Sequence, residues 1–193
     1  MVNVRGQAHT LEAIIASLLL LSSIVFALQI TAVTPLSAST SNQHIENQQQ
    51  ASAEGVLSMT KESGALRDAV LFWNSSAGKF HGGTADGYYT GTMPTEFGRI
   101  LERSFGDRGI AYNVYVTHLT DNGLSRTAMI FRGEPSDNAV VASREIVVTN
   151  ETRLLDSDMR ETDRIDPSNF YAADVGAGGY YNTLRVEVVV WRI

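Results

Sequence analysis

A run of 21 residues, 13–33, carries no charged side chain, and it limits what this chain can become more than any other feature. At about 1.5 Å of rise per residue, a helix of this length is about 31 Å long, close to the hydrocarbon thickness of a bilayer. The run is therefore expected to cross a membrane once. Its polar interruptions, Ser17, Ser22, Ser23, Gln29 and Thr31, are small or uncharged. Such residues let helices approach and hydrogen bond in lipid, but they also occur in simple anchors, so helix packing and anchoring both stay open. Arg5 precedes the run and no Lys or Arg follows it before Lys61. Positive charge on that side predicts a cytoplasmic N-terminus and an extracellular remainder.

A secretory signal peptide is cut behind its apolar stretch, at small residues. Here the processing-like signal, Arg5-Gly6-Gln7, stands in front of the stretch, so a cut after Gly6 would leave the hydrophobic helix on the product. This layout resembles the class III signal of archaeal type IV prepilins and archaellins. The string Arg5-Gly6-Gln7-Ala8-His9-Thr10-Leu11-Glu12-Ala13 is also similar to an uncharacterised family of pilin-like proteins from haloarchaea. The resemblance implies three parts: a leader, 1–6, removed by a prepilin peptidase; a transmembrane and filament-core helix, 7–35; and an extracellular α+β head, 36–193. It further implies a minor or accessory subunit whose helix packs against other pilin-like subunits. Many pilins carry an acid near this place that pairs with the amino terminus of a neighbouring subunit. Glu12 is the candidate here, although it is the sixth residue after the cut and not the fifth. A carboxylate at the membrane edge is costly unless partnered, and its attraction to an ammonium in a low dielectric is strong. The other reading leaves Glu12 solvated among the lipid headgroups.

Beyond the membrane run about 150 residues remain, which is one ordinary domain. The net charge of −6 argues against nucleic acid as a partner, because nucleic acid attracts basic stripes. Only Lys61 and Lys79 of the 15 basic residues are lysines, an acidic and arginine-rich balance suited to high salt. Cysteine is absent, which removes disulfides, thiolate metal sites and cysteine nucleophiles together. An exported domain of this kind has to rely on its core.

The expected head is α+β. Pro35 predicts an end or kink of the first helix near Thr34. Residues 41–73 are rich in Gln, Glu and Ala, with Val56, Met59, Leu66, Val70 and Trp73 at near three-and-four spacing, which predicts an amphipathic helix; two helices divided near Gly64 are the alternative. Residues 78–92 read as loop with a turn at Asp86-Gly87. Residues 95–105 read as a short helix capped by Thr95, with Phe97, Ile100, Leu101 and Phe105 on one face. After that the hydrophobic period becomes two. Strands are expected at 110–119, 126–132, 140–149 and 184–193, with a hairpin loop at 120–125. Four such strands predict an antiparallel sheet covered on one face by the amphipathic helix, the outline of a pilin head. The stretch 151–179, with alternating acids and arginines, reads as a solvated surface or short helix.

Signals of catalysis are missing. His9, His44, His81 and His118 fall in four different elements without metal-ligand spacing, so no metal or cofactor is expected. Gly176-Ala177-Gly178-Gly179 lacks the following helix that a phosphate loop needs and reads as a flexible turn. Asp156-Ser157-Asp158 lacks the glycine and distal glutamate of a calcium loop. No Gly-x-Ser-x-Gly motif occurs. Asn74-Ser75-Ser76 and Asn150-Glu151-Thr152 match the N-glycosylation pattern, making Asn74 and Asn150 candidate acceptors. The expected function is structural and not enzymatic. A monomeric, signal-anchored extracellular binding domain is the alternative, and a membrane-tethered hydrolase comes third.

Overall fold

The computed structural model describes the backbone of residues 4–192 and the side chains of residues 9–28 and 43–192. The candidate processing residues Arg5, Gly6 and Gln7 lie at the start of the first helix, α1 (Val4–Glu62), with side chains outside the described residues. Helical pairing continues past Pro35, so the end expected near Thr34 is not found. A proline removes one rung of the i→i−4 ladder and leaves the rungs on either side intact. The chain divides into two compact units, Met1–Ile45 and Glu46–Ile193.

The second unit is α+β. Its helices are the last turns of α1, then α2 (Ala65–Leu71) and α3 (Glu96–Ser104). Its principal sheet has four antiparallel strands, β3 (Ile110–Thr120), β4 (Gly123–Ile130), β5 (Val140–Thr149) and β8 (Tyr180–Arg192), in the order β4-β3-β8-β5. Two small hairpins accompany it: β1 (Trp73–Asn74) with β2 (Lys79–Phe80), and β6 (Arg153–Leu155) with β7 (Glu161–Arg164).

Gly64 separates α1 from α2. Its φ of 83° is left-handed, a conformation that glycine enters without the Cβ penalty, so the two-helix reading is the correct one. The break also changes which side of α1 faces inward. Ala53, Leu57 and Thr60 are fully buried, while Met59 is 50% exposed. Carrying one period across Gly64 had put Met59 on the inner face; each helix keeps its own phase and the phases do not match. In α3 the expected cap is present, with Thr95 Oγ1 accepting from Gly98 N at 3.2 Å. Phe97, Leu101 and Phe105 form the buried face.

Alternation along the strands sends Tyr112, Val114 and Val116 of β3, and Leu184, Val186, Val188 and Val190 of β8, into the core beneath the helices. The β3–β4 connection is tighter than expected, because pairing persists to Thr120↔Gly123 and leaves only Asp121 and Asn122 to turn the chain. The final strand lies in the middle of the sheet, paired to β3 on one side and β5 on the other. Asn182 extends that pairing beyond the backbone ladder: its Nδ2 donates to Leu119 O at 2.9 Å and its Oδ1 accepts from Leu119 N at 3.3 Å.

The stretch 151–179 is not merely a solvated surface. Leu154, Leu155, Ile165, Phe170 and Ala172 from it are buried in the main core, and the β6–β7 hairpin carries its charges outward. Charge alternation marked the exposed positions correctly but hid the apolar ones between them. The glycine turn is likewise tied down, with Gly176 N donating to Asp174 Oδ1 at 3.1 Å and Val175 N to Tyr181 O at 3.1 Å.

Candidate functional site

The apolar helix is the first candidate. Within α1, His9–Leu28 is a 20-residue segment with mean hydropathy 2.4, long and apolar enough to cross a membrane. Four consecutive leucines, Leu18 to Leu21, are each exposed. At about 100° per residue, four consecutive positions sweep nearly the whole circumference, so the segment has no polar side to turn toward water. A helix apolar all round needs lipid or other helices about it.

Its serines are satisfied within the helix. Ser17 Oγ donates to Ile14 O at 2.8 Å, Ser22 Oγ to Leu18 O at 2.8 Å and Ser23 Oγ to Leu20 O at 2.9 Å. None of these three hydroxyls is left to demand a partner in hydrocarbon, where an unmet polar group costs several kcal/mol. What Ser22 offers a neighbour is its small size. With Leu18, Leu21, Val25 and Phe26 it lines a depression of about 360 Å³ on the helix surface.

Glu12 sits at the start of this segment. His9 Nδ1 lies 3.7 Å from Glu12 Oε2, one turn away on the same face, and both side chains are highly exposed. The carboxylate thus has an imidazole neighbour within its own chain, a contact that i,i+3 spacing offers and that was not anticipated.

In the head unit, the two glycosylation candidates differ. Asn74 is half-buried in β1, and its Oδ1 accepts from Ala77 N at 3.0 Å, which closes an exposed turn at 75–78. Asn150 is exposed, but the hydroxyl of its sequon is occupied. Thr152 is buried, and its Oγ1 accepts from Thr149 N at 3.0 Å and from Arg67 Nη2 at 3.3 Å.

No group of three or more His, Asp or Glu side chains that could hold a metal ion occurs among the described residues. His118 is buried on the core side of β3 and packs edge-on against Tyr171, with ring centroids 5.6 Å apart. Its Nδ1 has no hydrogen-bond partner, and desolvation holds its pKa below the ordinary 6.5. Burial also pushes the Tyr171 hydroxyl far up, so that neighbour stays neutral. The sign follows from linkage: the unfolded chain takes up a proton near pH 6.5 while the folded histidine does not. Stability from this group is present above pH 6.5 and falls as pH drops through the window between 6.5 and the lowered folded value. Urea unfolding of the full chain in detergent, followed by Trp73 and Trp191 fluorescence, should show a fall in midpoint from pH 7.5 toward pH 5, about half a unit of pH or more below the unfolded pKa being enough to see it. In His118→Phe this component of the pH slope should vanish.

Sequence reasoning missed a polar cluster where α3 meets the end of β4. Arg132 Nη2 lies 2.5 Å from Glu102 Oε2, the same carboxylate accepts from Tyr112 OH at 2.9 Å and Thr92 Oγ1 at 3.0 Å, and the guanidinium lies 4.1 Å from the Tyr112 ring centroid. The Arg132 hydrogen bond is the main reason the Glu102 pKa is lowered. One signal was available. Arg132 follows Ile130 at period two, so alternation places it on the inward side, where a charge needs a partner. The cluster closes the core edge as a structural ion pair.

No curated protein and no solved structure matches the chain. A family of unknown function, DUF7288, does match, over residues 5–190, a span that runs from Arg5 and the apolar helix through the last strand. The chain belongs to that family.

Proposed function

We propose that the protein is a structural subunit, minor or accessory, of an archaeal type IV pilus-like surface filament or secretion apparatus. The leader 1–6 is removed by a prepilin peptidase after Gly6, and the helix beginning at Gln7 carries the subunit from the membrane into a bundle of similar helices. The observation that supports this reading most is the order of its parts: Arg5-Gly6-Gln7, at the start of α1, stands ahead of the segment of that helix that is apolar on every side. A cut there keeps the helix, and a helix apolar all round is equally suited to lipid and to a bundle of its own kind. The depression around Ser22 gives a neighbouring side chain a seat without any interhelical hydrogen bond.

Orientation follows from Arg5, which keeps the N-terminus inside and the head outside. Glu12 is the partner for the new amino terminus of an adjacent subunit, with His9 held beside it on the same face. Function on this reading is packing and display. The head presents an acidic exterior, and the candidate acceptors Asn74 and Asn150 belong to that exterior.

The test is to shear filaments from the cell surface and label them with antibody raised against the head. Labelled filaments are expected. Label confined to the membrane, with none on any sheared filament, would favour a signal-anchored binding domain instead.

A further inference from the structure

Five large apolar side chains are exposed among the described residues of the head unit: Met59, Leu119, Leu124, Val141 and Val147. Four of the five belong to one surface, the side of the four-stranded sheet that the helices leave uncovered. The register decides this. Leu119 pairs with Leu124 across β3 and β4, and Val141 and Val147 alternate with the core residues Ala142 and Ile146 of β5. An apolar concentration of this kind on one face, with little elsewhere, marks an interaction surface.

The charges of the same face identify what covers it. Arg185 Nη2 lies 3.0 Å from Glu145 Oε1, and Arg126 Nη2 lies 3.1 Å from Glu187 Oε2. Two arginines and two glutamates sum to zero, whereas the chain as a whole carries −6. Two copies approaching through most of their surface therefore meet with like net charge. Through this face they meet without it, and each arginine has a glutamate available on the other copy as well as on its own. Exposed apolar surface and high salt act in the same direction, since excluded salts strengthen apolar burial and screen what charge repulsion remains.

The free part of the face is modest, because its Ala111 end is closed by a small cluster of Ala111, Val189 and Trp191 packed with Tyr115 and Ala139. Four strands spaced about 4.8 Å over about six residues at 3.4 Å leave roughly 400 Å², or about 800 Å² over two copies, the size of a weak contact that holding both copies in one membrane would strengthen. The face also has relief. Thr117, Leu119, Leu124, Glu145, Thr183 and Arg185 line a depression of about 180 Å³, which an apolar side chain from an opposing sheet can enter.

We infer that the uncovered face of the β4-β3-β8-β5 sheet is a pairing surface for a second copy of this chain, sheet against sheet. The pairing does not require filament assembly, since two copies anchored in one membrane present the same faces.

Because the chain has no cysteine, single introduced thiols report on it cleanly. Ser143→Cys lies on the exposed side of β5, and Ser76→Cys, in the exposed turn after β1, is the control. Each is made in the full chain, expressed in membranes and treated with a bis-maleimide able to cross the roughly 10 Å between packed sheets. Using a Gly6→Val background keeps the outcome independent of leader removal. Ser143→Cys should yield at least about tenfold more cross-linked dimer than Ser76→Cys, a ratio that corresponds to about 1.4 kcal/mol. Adding Leu124→Asp and Val147→Asp, both at exposed positions that the fold tolerates, should return the dimer to the control level. Equal dimer from Ser76→Cys, dimer undiminished by the two aspartates, or Ser143→Cys linked only to a different protein would each overturn the inference.

Discussion

Gly6→Val should convert the protein from a form lacking residues 1–6 to one that keeps them, with the whole population retained in the membrane and none in sheared surface material. The physical reason lies in how a peptidase takes its substrate. The backbone at the cut must approach the catalytic groups closely, and glycine has no Cβ to hold it off. A β-branched side chain at the same position both adds bulk and stiffens the backbone. The effect is expected to be close to all-or-none, because one bond decides the outcome. Under the rival reading, in which Arg5-Gly6 is coincidental and the chain is a simple anchored domain, the same substitution changes neither size nor location. Intact mass of the membrane and surface fractions distinguishes the two.

The second large effect concerns the head, and it runs against helix propensity. Gly98 lies inside α3, and replacing an interior helical glycine by alanine ordinarily stabilises by about 1 kcal/mol. Here an added Cβ would come 2.1 Å from the Met93 carbonyl oxygen and 2.8 Å from Met93 Cβ. The first of these is backbone and cannot swing away. The same segment holds the α3 cap, because Gly98 N donates to Thr95 Oγ1, so moving it also loosens the cap. Overpacking of this kind costs about 1–3 kcal/mol, and losing a cap costs about 1 kcal/mol more. Gly98→Ala should therefore destabilise by about 2–4 kcal/mol, read as a lower urea midpoint at unchanged slope. Alanine at Gly55, in α1 with nothing within 4 Å, is the matched control and should stabilise slightly.

Local signals in the sequence carried much of this fold. The apolar run was legible because 21 residues without a charge, 13–33, stand together in the chain. The strands were legible because period two persists over eight or more residues in β3, β5 and β8, and the α3 start because Thr95 supplies a cap at the right offset. What escaped was non-local. Nothing near residues 180–192 says that β8 will lie between β3 and β5, since that order is set by which faces remain to be buried. The contact between Arg132 and Glu102 joins a strand end to a helix 30 residues away. The inner face of α1 was misread at Met59 because one period was extended across Gly64, where the helix stops. The β6–β7 hairpin was hidden by its charges, which are exposed, while Leu154 and Ile165 do the packing.

The candidate site divides in the same way. Arg5-Gly6-Gln7 is a reading of order along the chain, to which the structure adds that the three residues begin α1. Glu12 was legible as an acid at the membrane edge, but its approach to His9 needed the helix. The uncovered sheet face could not be read from sequence, because the apolar residues that define it come from three strands and become neighbours only once β8 is in place.

The most direct measurement of the central claim is the N-terminal sequence of the protein isolated from its native host, by mass spectrometry of the intact chain and its first peptide. A mature protein beginning at Gln7, with the apolar helix still attached, is the predicted result. A chain that still carries residues 1–6, or one cut behind the apolar run so that the helix is lost, would contradict the account.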